Sequence, residues 1–199
     1  IAMVSTDNCS HNGDKLYVAV SAFARAWMEN GKADAGFMEY IDSEKVSFTW
    51  SMIDKITPRP DASVEAILRK DGVEELEPVV TSKNTYVAPF VNAEETEYLV
   101  IENDFPNGRQ KLEEGGVMFT DRTTVDKVEK MKVCTCLNPL HTCLAIFGCL
   151  LGYRKISDEM KDRELVKLVE TVGYKEGLPV VVDPIILSPK EFIDTVLKV

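Results

Sequence analysis

Two histidines, a lysine in an apolar stretch and an asparagine close behind it are the side chains of this sequence best suited to moving a proton. His11 and His141 are its only histidines, so a mechanism that needs imidazole has two places to look. Asn138 and His141 lie three apart and would share one face of a helix. Pro139 between them makes Asn138 a natural helix cap. Lys132 precedes this pair and sits among Met131, Val133 and Cys134. Burial disfavours an ammonium, and a lysine left neutral is able to take a proton from a hydroxyl. Spacing alone leaves plainer readings open: a capped helix start with a partly buried histidine, and a lysine that lays its stem on apolar surface and keeps its head in water. On an unbroken helix Lys132 would face away from His141 by about half a turn, so a shared site requires a break, which Asn138-Pro139 could supply.

The cysteines are the other candidates. Cys9, Cys134, Cys136, Cys143 and Cys149 form an odd set with four members bunched together. Their spacing matches no zinc pattern. There is no Cys-X-X-Cys and no cationic setting to activate a thiolate. Apolar neighbours such as Leu144, Ile146 and Phe147 point to buried free thiols. No metal is expected, and the thiol count fits a reducing cytoplasm.

The elements that would position these groups follow from periodicity. Residues 1–5 read as a buried strand, broken by the polar cluster 7–13. Leu16, Val20, Phe23 and Trp27 then recur at helical spacing until Asn30-Gly31 stops the helix. A second strand is expected over 46–56, ended by Thr57-Pro58, and a short helix over 63–70 closed by Asp71-Gly72. Further strands are expected at 79–80, 86–90, 98–101 and 117–120. After Thr120 strand signals mostly vanish: 121–131 is charged and helical, 139–151 an apolar helix, 164–172 amphipathic. Ser188-Pro189-Lys190-Glu191 opens a last helix with Ser188 as its cap. The fold class is therefore α/β and then mostly α, with a domain boundary near 121.

Composition narrows the function. With 199 residues and 45% hydrophobic content, the chain holds one sizeable core or two small ones. A net charge of −10 and a pI near 4.8 exclude a protein that grips nucleic-acid phosphates, which needs a basic face. The longest apolar run, 143–151, is too short to cross a bilayer, so no membrane partner is expected. Small-molecule chemistry fits better. The opening Ile-Ala-Met-Val-Ser lacks a signal-peptide pattern and reads as a strand of a longer chain.

Three segments carry a resemblance. Lys132-Val-Cys-Thr-Cys-Leu-Asn138-Pro-Leu-His141 resembles the lysine, asparagine, histidine signature of the polyol-specific long-chain dehydrogenases. This is the mannitol dehydrogenase family, which includes mannitol 2-dehydrogenase and fructuronate (mannonate) reductase. The stretch from Phe48 through Asp54-Lys55-Ile56-Thr57-Pro58 is similar to the family's Val-Asp-Arg strand, with Lys55 in place of the arginine. The opening Asp7-Asn8-Cys9-Ser10-His11-Asn12-Gly13 is similar to its Cys-Asp-Asn loop. The three matches arrive in the family's order and span most of the chain.

The resemblance implies the C-terminal part of a Rossmann-like NAD domain over 1–120, followed by the start of a helical substrate domain over 121–199. It implies a metal-independent, NAD-dependent oxidoreductase acting on a sugar alcohol or sugar acid. Lys132 would be the general base, Asn8 and Asn138 would hold the developing alkoxide, and His141 would orient the hydroxyl or the lysine. Asp54 would line the cofactor side. Asp54 also reads as a structural carboxylate at a strand end, and Asn8 as an Asx-turn residue. The chain departs from the family twice. One extra residue separates Lys132 from Asn138, and the glycine-spaced pyrophosphate fingerprint between a strand and a helix is missing. The second departure implies weak or no NAD binding by these 199 residues alone. It also keeps a rival reading open, that of a non-catalytic helical module which complements a separate chain.

Overall fold

The computed structural model describes residues 1–54, 59–93 and 98–198, with Asp54 described by its backbone. Contacts divide the chain into two compact units, Ile1–Ile53 with Leu99–Val199, and Asp54–Tyr98. Residue 121 therefore lies inside the first unit.

The first unit opens with β1 (Ala2–Val4), α1 (Asn12–Glu29), α2 (Ala35–Ile41) and β2 (Ser47–Thr49). Strands β1 and β2 are parallel, with Ala2 opposite Ser47 and Val4 opposite Thr49. Helix α1 ends as expected at Asn30, followed by Gly31 at φ 67°. Its buried face differs from the one periodicity suggests. Gly13, Ser21 and Ala24 face inward, while Phe23 is 67% exposed and Trp27 stacks on Phe37 of α2. Close approach is the reason: a Cβ on Gly13 would lie 2.6 Å from the Phe48 carbonyl oxygen, so only small residues fit against the strands.

The strand expected over 46–56 is two strands. At Trp50 the chain leaves β2 and enters β3 (Ser51–Asp54), which belongs to another sheet. Residues 55–58, which carry Lys55, Thr57 and Pro58 of the sequence motif, lie outside the described residues.

The second unit contains α3 (Ala62–Lys70), β4 (Val79–Val80) and β5 (Tyr86–Val87). Asp61 caps α3 by accepting from the Ser63 amide at 2.8 Å. Arg69 pairs with both Glu65 and Glu77. The β4–β5 hairpin is antiparallel and exposed on both faces.

The first unit resumes with β6 (Tyr98–Glu102) and β7 (Met118–Thr120), which are parallel and complete a sheet of order β3-β6-β7. Asp121 caps α4 (Arg122–Lys130) through the Thr124 amide. A π-helical turn (Met131–Cys136) and α5 (Asn138–Leu151) follow, then α6 (Ile156–Glu159), α7 (Arg163–Glu170) and α8 (Pro189–Val196). Ser188 caps α8 as its sequence predicts. The core of this helical part is Met131, Cys136, Leu140, Leu144, Leu165, Val169 and Ile193. On α5 the buried stripe is Leu140, Leu144 and Gly148. Ile146 and Phe147 are exposed, as are Cys134 and Cys149. The expectation of buried free thiols is corrected for Cys134 and Cys149: Gly148, on the buried stripe, seats the side chain of Glu159, and the face that carries Ile146 and Phe147 looks outward.

From Arg122 to Leu151 the chain is helical apart from Leu137, a stretch of 30 residues with an 18-residue window of mean hydropathy 1.6 that is 22% buried. By length and composition this passes as long enough to cross a bilayer, which the length of the apolar runs did not suggest. Leu140 and Leu144 pack into the core from this helix and Lys132 is buried on it.

Candidate active site

The loop after β1 is fastened first by Asn12, which is 2% exposed. Its Nδ2 donates to the carbonyls of Asp7 (3.0 Å) and Ser51 (3.1 Å) and to Ser51 Oγ (3.0 Å), while its Oδ1 accepts from the Ser51 amide (3.0 Å). A buried amide satisfied on both atoms fixes one register of loop on strand. The loop therefore leaves β1 and returns to α1 over the start of β3, with Asn8 at its bend.

Helix α4 is pinned to the same strands. Arg122 donates from Nε to both carboxylate oxygens of Glu102 (2.9 and 3.0 Å) and from Nη2 to the Phe48 carbonyl (3.3 Å). The Glu102 carboxylate beside it holds the guanidinium pKa above its usual value. Trp50 lies between elements: its indole Nε1 donates to Asp14 at 2.9 Å, Arg122 sits 5.0 Å over its ring, and His11 stacks on it with centroids 4.1 Å apart. One helical turn beyond Arg122, Asp126 meets His11, Oδ1 to Nε2 at 3.4 Å. Lys130, and then His11, hold the Asp126 carboxyl below the usual range.

Beyond α4 the chain enters the π turn, and Lys132 is 2% exposed there. Its Nζ donates to Asn8 Oδ1 at 3.3 Å and to the Ile53 carbonyl at 3.4 Å. Lys132 is thus buried and turned toward the loop and the end of β3. The Leu137 amide reaches back to the Lys132 carbonyl at 3.0 Å, an i to i+5 bond that makes room for one extra residue in the turn. The additional residue between Lys132 and Asn138 is absorbed there.

Asn138 and His141 lie in the first turn of α5, both exposed. Leu137, not Asn138, stands at the cap, and no side chain caps this helix. The structure thus joins Lys132 to Asn8 and sets Asn138 and His141 on the next turn of chain. Asp54 ends β3 directly after Ile53, and its side chain lies outside the described residues.

Cys136 is buried, which pushes its thiol up to about 11, and burial raises that of Cys143 as well. Among the described residues His11, Asp126 and Glu129 bring their ligand atoms within 4.8 Å of one another, but the Lys130 ammonium already occupies Asp126 at 2.6 Å. Sequence reasoning did not find Trp50, Glu102, Arg122 or Asp126. Each acts through a partner tens of residues away, which local spacing does not reveal. Asn12 carried a weak signal, as a polar residue between His11 and Gly13 at the start of a helix.

A parallel strand, a polar loop and a helix lead here to a helical part that supplies a buried lysine to the loop. Comparison with known proteins finds this fold in oxidoreductases. The chain is 55% identical over 201 residues to a D-mannonate oxidoreductase of Thermotoga maritima, covering all of this chain and 37% of that protein. It superposes on a substrate-free D-sorbitol dehydrogenase with a TM-score of 0.78 at 26% identity, covering 99% of this chain and 36% of that one. For Pseudomonas fluorescens mannitol 2-dehydrogenase, solved in a ternary complex with NAD and D-mannitol, the TM-score is 0.67 at 27% identity, covering 100% and 36%. No protein-family model matches the chain. Over its whole length the chain is similar to proteins of the mannitol dehydrogenase family and has their fold, and it spans about a third of the length of the relatives it matches.

Proposed function

We propose that this chain carries the proton-transfer site of an NAD-dependent oxidoreductase that interconverts a sugar alcohol or sugar acid and its keto form, as its relatives' names suggest. The observation that supports this most is a buried lysine amine on an asparagine amide at the carboxyl ends of β1 and β3. Ligands of open α/β sheets bind at such strand ends. In this reading 1–120 is the tail of the dinucleotide-binding domain and 121–199 the start of the helical substrate domain.

Lys132 acts as the general base and removes the substrate hydroxyl proton. With its Oδ1 on Lys132, Asn8 has Nδ2 left to donate to the developing alkoxide. Asn138 adds a second donor and stabilises charge as it forms. His141 orients the hydroxyl or the lysine. NAD, when bound, supplies the hydride acceptor. The residues present fit its nicotinamide end, where Asn8 and Ile53 converge on Lys132. Nothing in the chain offers the glycine-spaced cradle for a pyrophosphate, so the 199 residues alone are expected to bind NAD weakly and to lack turnover. Five free thiols suit a reducing cytoplasm.

The test is steady-state oxidoreduction by the full-length protein with mannonate, fructuronate and mannitol, using NAD or NADH. Turnover of mannonate and fructuronate is the expected result, given the identity to a D-mannonate oxidoreductase. Absence of turnover with every polyol and hexonate would overturn the reading, as would full activity of the 199-residue chain by itself for the statement on the missing cradle.

A further inference from the structure

We infer that His11, through Asp126, is a positioning residue that sets the distance between Asn8 and Lys132; the inference rests on the oxidoreductase reading for its effect on turnover. Asn8 and Lys132 arrive from opposite directions in the sequence, one on the loop after β1 and the other beyond α4. Asn12 fastens that loop to β3, and Arg122 fastens the start of α4 to Glu102 and Phe48. Neither contact joins the loop itself to α4, and the Arg122–Asp14 pair at 3.7 Å reaches only the first turn of α1 behind it. His11 joins the two, stacking on Trp50 on one side and meeting Asp126 of α4 on the other.

The backbone is shaped for this contact. His11 has φ 51° and ψ 48°, a left-handed conformation uncommon for residues other than glycine and a cost that the surroundings must hold in place. That conformation aims the ring across α1's first turn onto Trp50, whose own ring is held at its other contacts by Asp14 and Arg122. Asp126 is half-buried and already oriented by Lys130, so it is a fixed acceptor. His11 lies three residues after Asn8 and Asp126 six before Lys132. The latch therefore closes the ring of chain that holds the two reacting groups at 3.3 Å. A polar contact this exposed adds little stability. A displacement of about 1 Å at the reacting groups, however, costs on the order of a hundredfold in rate, so the latch matters to catalysis far more than to folding.

The test uses three substitutions in the full-length protein. His11→Phe keeps the stack on Trp50 and removes the donor, His11→Gln keeps a donor at the place of Nε2, and Asp126→Asn removes the charged acceptor. Hydrogen exchange of the 6–10 amides is read alongside steady-state kinetics, and melting temperature reports on the fold. The expected result is exchange about tenfold faster over 6–10 in His11→Phe and Asp126→Asn, with α5 unchanged. In the same two variants kcat falls about tenfold while KM for NADH stays put. His11→Gln recovers most of both, and the double variant His11→Phe/Asp126→Asn is no worse than either single one. Unchanged exchange and kcat in His11→Phe would overturn the inference. Faster exchange with unchanged kcat would overturn it too, because the latch would then hold the loop without setting the catalytic distance. If the unsubstituted protein turns over no sugar alcohol or sugar acid, the oxidoreductase reading fails, and the exchange data still decide whether His11 and Asp126 hold the loop to α4.

Discussion

The strand-bearing part of the first unit and its helical part are built on different physics. Around β1, β2 and β3 the buried residues include Asn12, Ser21, Ser47, Thr49, Ser51 and Glu102, and the loop is held by directed hydrogen bonds. From the π turn to α8 the core is Met131, Leu140, Leu144, Leu165, Val169 and Ile193, held by apolar burial. Directed bonds set positions to fractions of an ångström, whereas apolar packing supplies most of the free energy. Lys132 belongs to both: it starts from the apolar core, next to Met131, and ends on the polar network at Asn8. A site on that seam takes its precision from one side and its stability from the other.

The comparison breaks hardest if its two roles are exchanged. Asn12→Leu should lose about 3–5 kcal/mol of unfolding free energy, because it strips partners from Ser51 and Asp7 in a buried place; chemical denaturation reads this directly. A loss below about 1 kcal/mol would mean that the network is ornamental. Leu140→Ala, at a site 1% exposed, should cost about 2–4 kcal/mol through lost burial and the cavity left behind, and its unfolding should leave the loop contacts of Asn12 intact until the global transition.

A milder substitution sharpens the contrast. Thr49 is fully buried in β2 and its Oγ1 has no hydrogen-bond partner among the described residues. Thr49→Val keeps the shape and removes the unsatisfied hydroxyl, so it should stabilise by about 0.5–1 kcal/mol. Destabilisation would show that the hydroxyl is satisfied after all.

The smallest effect is in the helical part and depends on pH. Tyr174 donates to Asp194, which also accepts from Lys190, and the Asp194 carboxylate pushes the phenol up to about 12. A folded value raised above the unfolded one gives stability that is full below pH 10 and lost as pH rises through 12. Tyr174 is partly exposed, so the effect is screened. Tyr174→Phe should flatten the melting-temperature profile between pH 10 and 12 by about 2 °C.

Much of this architecture is legible in the sequence where the signal is local. The stop at Asn30-Gly31, the Ser188 cap and the strands at 79–80, 98–102 and 118–120 follow from turn chemistry and β-branched runs. Helix α2 was missed, having no strong periodic face in seven residues. The break between Lys132 and His141 was expected at Asn138-Pro139. The structure sets it at Leu137, directly before Asn138, at the end of a π-helical turn that is wider than an α-helical one. Of the site, the candidates Asn8, Lys132, Asn138 and His141 could be named from motifs. Trp50, Glu102, Arg122 and Asp126 could not, since what makes them important is a partner distant in sequence.

The account's central claim is that Lys132 is the base. The measurement that tests it most directly is kcat of full-length Lys132→Ala, with His141→Ala beside it, for oxidation of mannonate, melting temperature serving as the check on folding. The account predicts a loss of on the order of 10³-fold for Lys132→Ala, a smaller loss for His141→Ala, and little change in melting temperature. A folded Lys132→Ala that keeps its turnover would contradict it and place the base on another side chain.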